Sequence, residues 1–277
     1  MLYFRGCTAR VRLNSISDST QKLLNLANLD FVILDNEECC GSVLLRTGFE
    51  DEAKEQMEKN LANFKNNTIL VSCAGCYKTL KKDYNDLLGV ELDVIHISQL
   101  LRDLIKENKI IVPDKNIVDS SDKNIINSCD NDGDFNAKDD IGETVTYHDP
   151  CHLGRHMEEF DAPREVINNF SQIKEMENIK ESSRCCGSGG GVKSAFPEIA
   201  KSIAIERGKE AEDTGANILV TSCPFCKLNL DENSSMKVLD LSEFVLKQLE
   251  IEISNNNKTK ISKQGKIEIS NNNKTKI

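Results

Sequence analysis

No stretch of this chain approaches the ~18 consecutive apolar residues that a membrane-crossing helix requires. No tryptophan occurs anywhere in its 277 residues, and the hydrophobic fraction is an ordinary 39%. Positive charge is in deficit: 35 Lys and Arg stand against 45 Asp and Glu, for a net charge of -10. With no basic stripe to neutralise phosphates, no nucleic-acid partner is expected. Met1 runs directly into "LYFRGC" without the charged, apolar and small-residue succession of a secretion signal. The expectation is a cytoplasmic protein, associated with a membrane only through a partner. Nucleotide signatures are missing as well. The run "GSGGG" has no G-K-[ST] ending and does not fit a dinucleotide fingerprint, so no flavin or nicotinamide motif is present.

What the chain does have is cysteine, eleven of them. Structural disulfides are disfavoured in a reducing compartment, which makes metal binding or redox chemistry the leading reading. Two pairs are adjacent, in "EECCGS" (Cys39, Cys40) and in "SSRCCGSGGGV" (Cys185, Cys186). Neighbouring cysteines point different ways and rarely suit one tetrahedral ion. The pairs are open to three readings: vicinal disulfides, accidental buried neighbours, or ligands to different atoms of a multinuclear cluster.

The pattern of elements supplies a frame. "LYFRGC", "DFVILD", "NNTILVSC" and "VELDVIHIS" read as short buried strands. Between them, Phe49 to Lys65 carries apolar residues at helical spacing with charges opposite. "KTLKKDYNDLLG" reads as a helix that ends in a capping glycine. The second half repeats the order, with "TVTYHDPC", "CCGSGGG", the helix "PEIAKSIAIERGKEAEDTG", "ANILVTSC", "CPFC" and "VLDLSEFVLKQLE". Cys7 then corresponds to Cys151, Cys39 and Cys40 to Cys185 and Cys186, and Cys73 and Cys76 to Cys223 and Cys226. An internal duplication is the economical account.

The expected fold class is α/β, with two pseudo-symmetric lobes, each a small mostly parallel sheet flanked by helices. The first lobe is placed at 1–109 and the second at 144–250. An acidic, disordered connector over 110–143, rich in Asp, Asn, Ser and Lys, separates them and carries the unmatched Cys129 as a free thiol. The basic tail 251–277 repeats "IEISNNNKTKI" letter for letter and is set aside from fold reasoning.

Each half offers a lone cysteine after a strand, an adjacent pair, and a Cys-x-x-Cys after another strand. Structural zinc uses four ligands, a thioredoxin-like site one Cys-x-x-Cys, and ferredoxin cubanes four cysteines in runs absent here. None accounts for five, twice. An iron–sulfur assembly does, since adjacent thiolates reach different irons and a thiolate can bridge two. Gly187, Gly189, Gly190 and Gly191, with Gly41 and Gly75 in the first half, then permit positive φ and close backbone approach to an anionic cluster.

These spacings, together with "YHDPCHLGRH", "CCGSGGGV", "FPEIA" and "TSCPFCKLNL", resemble the cysteine-rich CCG domain family and its heterodisulfide reductase catalytic subunits, from Leu2 to about Glu250 apart from the connector. The resemblance implies two noncubane [4Fe-4S] clusters facing each other across the lobe interface. Cys7, Cys39, Cys40, Cys73 and Cys76 would hold one cluster, and Cys151, Cys185, Cys186, Cys223 and Cys226 the other. It implies reduction of the coenzyme M–coenzyme B disulfide, with electrons from a ferredoxin-like iron–sulfur protein and a flavoprotein or membrane cytochrome beyond it. Related chains in thiol-driven fumarate reductases and in glycolate or lactate oxidation complexes suggest the alternative, an electron relay. A zinc scaffold is a third reading, which the five-ligand count disfavours.

Around Cys151 lie His148, His152 and His156. His148 is expected on the preceding strand, with Pro150 opening a helix. His148 and His152 are expected to hydrogen-bond backbone or cluster sulfur, with proton donation by His152 as the sharper alternative. His156 is expected to be exposed, and His96 to have no evident task. Arg5, Arg10 and Arg155, close in sequence to the lone cysteines, either compensate cluster charge, hold an anionic substrate or are solvated.

Overall fold

The computed structural model describes residues 1–64, 67–112 and 144–251. The expected connector lies outside them from residue 113 onward, as do Cys129 and the repeated tail from residue 252. In the described residues the chain builds two three-stranded parallel sheets. The first runs β1 (Leu2–Phe4), β2 (Ile69–Val71), β3 (Val94–His96). The second runs β4 (Val145–His148), β5 (Ile218–Thr221), β6 (Lys237–Asp240). The central strands β2 and β5, "ILV" and "ILVT", are buried at every residue. That is the pattern of a parallel sheet covered by helices on both faces.

The segment "DFVILD" differs from expectation. Only Val32 pairs, through one parallel bridge to Leu2, and Ile173 does the same with Val145 in the second lobe. Val32 is exposed, so this edge misses the two-sided burial that sustains the other strands. The bridges still set the topology. The chain steps from β1 to Val32 on one side and then to β2 on the other, which puts a switch point at the carboxyl ends of β1 and β2. Such a crevice is where open α/β sheets build their sites.

The helices follow the sequence pattern closely. The charged helix spans Glu50–Phe64 and places Glu50, Asp51 and Glu52 in its first turn, where they complement the helix dipole. Pro197 opens Pro197–Glu212 at a position with no partner for an N–H. The stretch "KTLKKDYNDLLG" continues Ala74–Lys78 through a π-turn at Thr79–Asp83 into Tyr84–Leu88, and ends at left-handed Gly89. A helix over 241–251 closes the second lobe.

Side-chain detail repeats between the lobes. Tyr3 Oη lies 3.0 Å from Ser72 Oγ, and Tyr147 Oη donates to Ser222 Oγ at 3.2 Å. His96 caps the helix Ile97–Lys106 by accepting from the Ser98 N–H, while Gln99 reaches back to the His96 N–H. Asp240, Ser242 and Glu243 make the same box at the start of the closing helix. His96 therefore has a task that the sequence reading missed. "HISQ" and "DLSE" carry the signal, since each places Gln or Glu three residues after the cap.

The lobes are welded rather than hinged. Ile97–Lys106 packs against Asp161–Phe170. Across this seam Gln99 Nε2 donates to Glu159 at 2.7 Å, Lys106 pairs with Glu165 at 2.6 Å, and buried Thr20 Oγ1 donates to Ser242 Oγ at 3.1 Å. Two apolar cores each draw residues from both lobes; one includes both Val71 and Leu219, the other both Tyr3 and Tyr147. Ile110, at the start of the expected connector, is buried in the second core.

Candidate metal centre

Every cysteine of the described residues follows the carboxyl end of a strand or bridge. Cys7 opens the helix Cys7–Val11 directly after β1. Cys73 and Cys223 are the N-caps of Ala74–Lys78 and Pro224–Asn233, with Cys76 and Cys226 one turn on. Cys39–Cys40 and Cys185–Cys186 sit in loops and are followed directly by Gly41 and Gly187. All ten are unbonded thiols, so neither adjacent pair is a vicinal disulfide.

The fold gathers these ten side chains around one cavity of about 260 Å³ at the lobe seam. Their thiols lie near enough to shift one another's acidity in an unbroken succession. Cys7 meets Cys39, Cys39 meets Cys40, Cys40 meets Cys76, and Cys76 meets Cys73. Cys73 then neighbours Cys223 of the other lobe, whose thiol shifts its acidity. From there the line runs through Cys226, Cys186 and Cys185 to Cys151. All ten cysteines expected as ligands thus line the same cavity, five from each lobe.

Close packing splits the thiol acidities. Cys185 is pulled well below the usual thiol range by the neighbouring thiols of Cys151 and Cys186, with further help from the Gly187 N–H, whose nitrogen is 3.3 Å from its sulfur. Cys40 is lowered by Cys39 and Cys76, and Cys223 by Cys226 and Cys73. Their neighbours go the other way. Cys39 rises to about 11, chiefly through Cys40, and Cys73, Cys76 and Cys226 rise well above the thiol range. Ten sulfurs this close cannot all ionise unaided. A polycationic group would hold them all as thiolates.

Backbone N–H groups are already aimed at these sulfurs, from Gly41 and Ser42 in the first lobe and from Gly187 and Ser188 in the second. Gly187 has φ +82°, and a Cβ there would lie 2.5 Å from the Ala200 carbonyl oxygen. Only glycine allows the Cys185–Cys186 loop to descend this far onto the helix. Gly189 and Gly75, expected to do similar work, keep ordinary φ values. Ser188 Oγ and His152 Nε2, on the cavity wall, and His148 Nε2 behind it are buried without partners among the described residues. The donor chemistry, the directed amides and these orphaned atoms fit a polynuclear iron–sulfur group.

The histidines separate by role. His148 ends β4, fully buried, and a nitrogen of its ring lies within 4.8 Å of the Cys186 and Cys226 sulfurs. Burial and the Arg207 charge push its pKa down to about 3. His152 brings Nδ1 to 3.4 Å from Cys151 Sγ, and burial lowers its pKa to about 4. It lies in a turn, because the expected helix starts not at Pro150 but at Gly154, in Gly154–Met157. His156 is exposed, with its ring centroid 4.8 Å from that of His152.

Cations at the cavity are Arg5, Arg12, Arg46 and Lys193. Arg5 is paired to buried Glu37, whose two oxygens also accept the Arg5 and Gly6 N–H groups at 2.9 Å. Arg46 pairs with Asp83, and Lys193 with Glu232. Arg12 is exposed and carries no ion pair among the described residues. Arg10 and Arg155 do not line the cavity; Arg155 instead donates to the Ser183 carbonyl. Sequence reasoning missed Arg12, Arg46 and Lys193, each of which follows a cysteine motif by a few residues but reads as surface charge.

A second missed group braces the Cys151 and Cys185 loops. Asp149 is bound bidentately by Arg164 at 2.7 and 2.9 Å, Arg164 also holds Glu175 at 2.7 Å, and Asp149 accepts the Lys180 N–H at 2.9 Å.

Comparison with known proteins agrees with this geometry. The family profile described as a cysteine-rich domain, CCG, matches residues 1–81 and 145–231. The chain is 40% identical over 249 residues to the D-type chain of the dihydromethanophenazine:CoB–CoM heterodisulfide reductase of Methanosarcina acetivorans, covering 86% of this chain and 55% of that protein. Its counterpart in Methanosarcina mazei is 40% identical over 268 residues, covering 91% and 59%. The B-type chain of the fumarate reductase (CoM/CoB) of Methanothermobacter marburgensis is 31% identical over 250 residues, covering 88% and 45%. The chain spans about half the length of these relatives. No helix of the described residues is long and apolar enough to cross a membrane.

Proposed function

The chain belongs to the cysteine-rich CCG domain family, and from that membership we propose that it is an iron–sulfur oxidoreductase component which reduces a small-molecule disulfide. Cys7, Cys39, Cys40, Cys73 and Cys76 would hold one [4Fe-4S] cluster of noncubane type. Cys151, Cys185, Cys186, Cys223 and Cys226 would hold its counterpart. The observation that carries the reading is that both quintets open onto one cavity, with Cys73 of one lobe neighbouring Cys223 of the other.

When bound, such a pair of groups supplies one-electron chemistry from both sides of the cavity, matching the two electrons that breaking one S–S bond requires. The balance is R–S–S–R′ plus two electrons and two protons, giving two thiols. The chain's own side chains do the rest. Arg12, at the cavity with no ion pair among the described residues, attracts an anionic substituent of the disulfide, while Arg46 and Lys193 add positive field from within their ion pairs. His152 holds a ring nitrogen on the cavity wall where a proton can be delivered to a product sulfur. Welded lobes keep the two quintets at one separation. Heterodisulfide reductase chains among the relatives support the coenzyme M–coenzyme B disulfide as substrate, with electrons from a ferredoxin-like partner and a flavoprotein or membrane cytochrome beyond.

The test is turnover of that disulfide by the anaerobically reconstituted chain with an artificial one-electron donor. Turnover supports catalysis on this chain. Full iron loading without turnover means that it relays electrons, as the likeness to a fumarate reductase component allows.

A further inference from the structure

The two lobes share the order of their cysteines and the tyrosine–serine pair behind them, yet the strands that lead to the lone cysteines differ in the residue after the tyrosine. The Tyr3–Ser72 and Tyr147–Ser222 pairs fix the alignment of β1 with β4. The next residue is Phe4 in the first lobe and His148 in the second. Phe4 packs edge-on against Phe64, ring centroids 5.8 Å apart, and offers no hydrogen-bond donor. His148 is met instead by Arg207, a fully buried side chain on Pro197–Glu212.

Arg207 settles the state of the imidazole. A guanidinium can only donate, and its Nε donates to His148 Nδ1 at 3.1 Å. Nδ1 is therefore the acceptor, and the neutral ring carries its proton on Nε2. Arg207 cannot turn away, because it is also anchored to the Asn178 carbonyl at 3.0 Å, Ser183 Oγ at 3.2 Å and Glu210 at 2.7 Å. Nε2 is buried with no partner among the described residues, although the ring stands beside the sulfurs of Cys186 and Cys226. A buried N–H left in this way keeps its full desolvation penalty unless an acceptor arrives.

We infer that His148 donates its Nε2–H to the sulfur shell of the second-lobe cluster, with Arg207 as the positioning residue, and that this gives that cluster a higher reduction potential than the first. A hydrogen bond to cluster sulfur stabilises the more negative, reduced state, so it raises the potential. The Phe4 side has no such donor. The same geometry rules out His148 as an iron ligand, since Nδ1 is occupied by Arg207 and Nε2 by its proton. Two sites alike in cysteine are thereby made unequal, and an arriving electron settles first in the second lobe.

The inference rests on the two-cluster reading, and one experiment separates their failures. Full chains reconstituted anaerobically as wild type, His148→Phe and His148→Gln are assayed for iron and sulfide and titrated potentiometrically by EPR. Expected are two separated reduction steps in the wild type. In His148→Phe the higher step moves down towards the lower at unchanged iron content, and in His148→Gln, which keeps an amide N–H, it is partly restored. A fully loaded His148→Phe chain whose steps do not move overturns the inference alone, as does loss of iron confined to the second lobe, which would make His148 a ligand. A wild-type chain without cluster iron overturns both readings. Because a buried substitution can compromise folding, the wild type labelled with ¹⁵N-histidine is also examined by pulsed EPR. An exchangeable proton coupled to the reduced cluster is expected, and a strongly coupled, directly bound histidine nitrogen refutes the assignment.

Discussion

Gly187→Ala and Gly190→Ala make a matched pair, because both glycines have positive φ but differ in what a methyl group would meet. At Gly190, φ +62°, nothing lies within 4 Å of the added Cβ. Only the left-handed backbone penalty applies, about 1–2 kcal/mol for an L-residue. At Gly187, φ +82°, the Cβ would also stand 2.5 Å from the Ala200 carbonyl oxygen, 3.1 Å from Ile203 Cβ and 3.2 Å from Asn229 Nδ2. The first of these is helix backbone and cannot swing aside, so overpacking adds about 1–3 kcal/mol. Asn229 Nδ2 also donates to the Cys186 and Ala200 carbonyls at 2.7 and 3.1 Å, so the displacement reaches the cysteine loop itself. The expected result is that Gly187→Ala is the less stable variant by about 2 kcal/mol, roughly 1 M in urea midpoint at ordinary denaturant sensitivity. It should also lose iron from the second lobe, whereas Gly190→Ala keeps it. Equal midpoints for the two variants, or full iron in Gly187→Ala, would refute the claim that the loop depends on that close approach.

Further outcomes follow from other contacts. Cys40→Ser and Cys186→Ser should each remove the iron of one lobe, leaving about half the wild-type content by metal analysis. Removing both groups by replacing one cysteine would instead show a shared site. Arg12→Gln should raise KM for an anionic disulfide about 3- to 10-fold with kcat unchanged, as expected for one exposed charge contact of about 1 kcal/mol; an unchanged KM removes Arg12 from the substrate path. Arg164→Met leaves Asp149 buried without its bidentate partner, and should cost about 3–5 kcal/mol in denaturant titrations. Burial holds His96 at about 4 rather than the usual 6.5. Between those values the unfolded chain binds the extra proton, so stability is complete above pH 6.5 and is lost as pH falls towards 4, by about 3 kcal/mol. His96→Asn, which keeps a capping acceptor, should flatten that part of the pH–stability curve, and an unaltered slope would remove His96 as its source.

The cysteine arithmetic was legible because ligand chemistry is written in residue type and order. Five thiols repeated in the same order after the same strands need no coordinates to suggest a multinuclear group. The helices were legible for a similar reason, since periodicity and terminal residues such as Pro197 and Gly89 are local properties. "DFVILD" misled because an apolar run does not reveal whether both its faces will be covered, and Val32 is left exposed. Arg12, Arg46 and Lys193 were invisible because a charge near a cavity looks the same in sequence as a charge on open surface. His96 was underread because histidine is an uncommon cap, although the glutamine three residues on completes the box.

The duplication, the ten cysteines and the α/β alternation were determined by the sequence alone, since each depends on residue identity at short range. Tertiary structure alone decided that all ten cysteines line one cavity, that Cys73 neighbours Cys223, and that Arg207 reaches back to orient His148. These contacts join residues far apart in the chain. Their geometry is set by how two sheets and their covering helices pack, a collective outcome that no local pattern encodes.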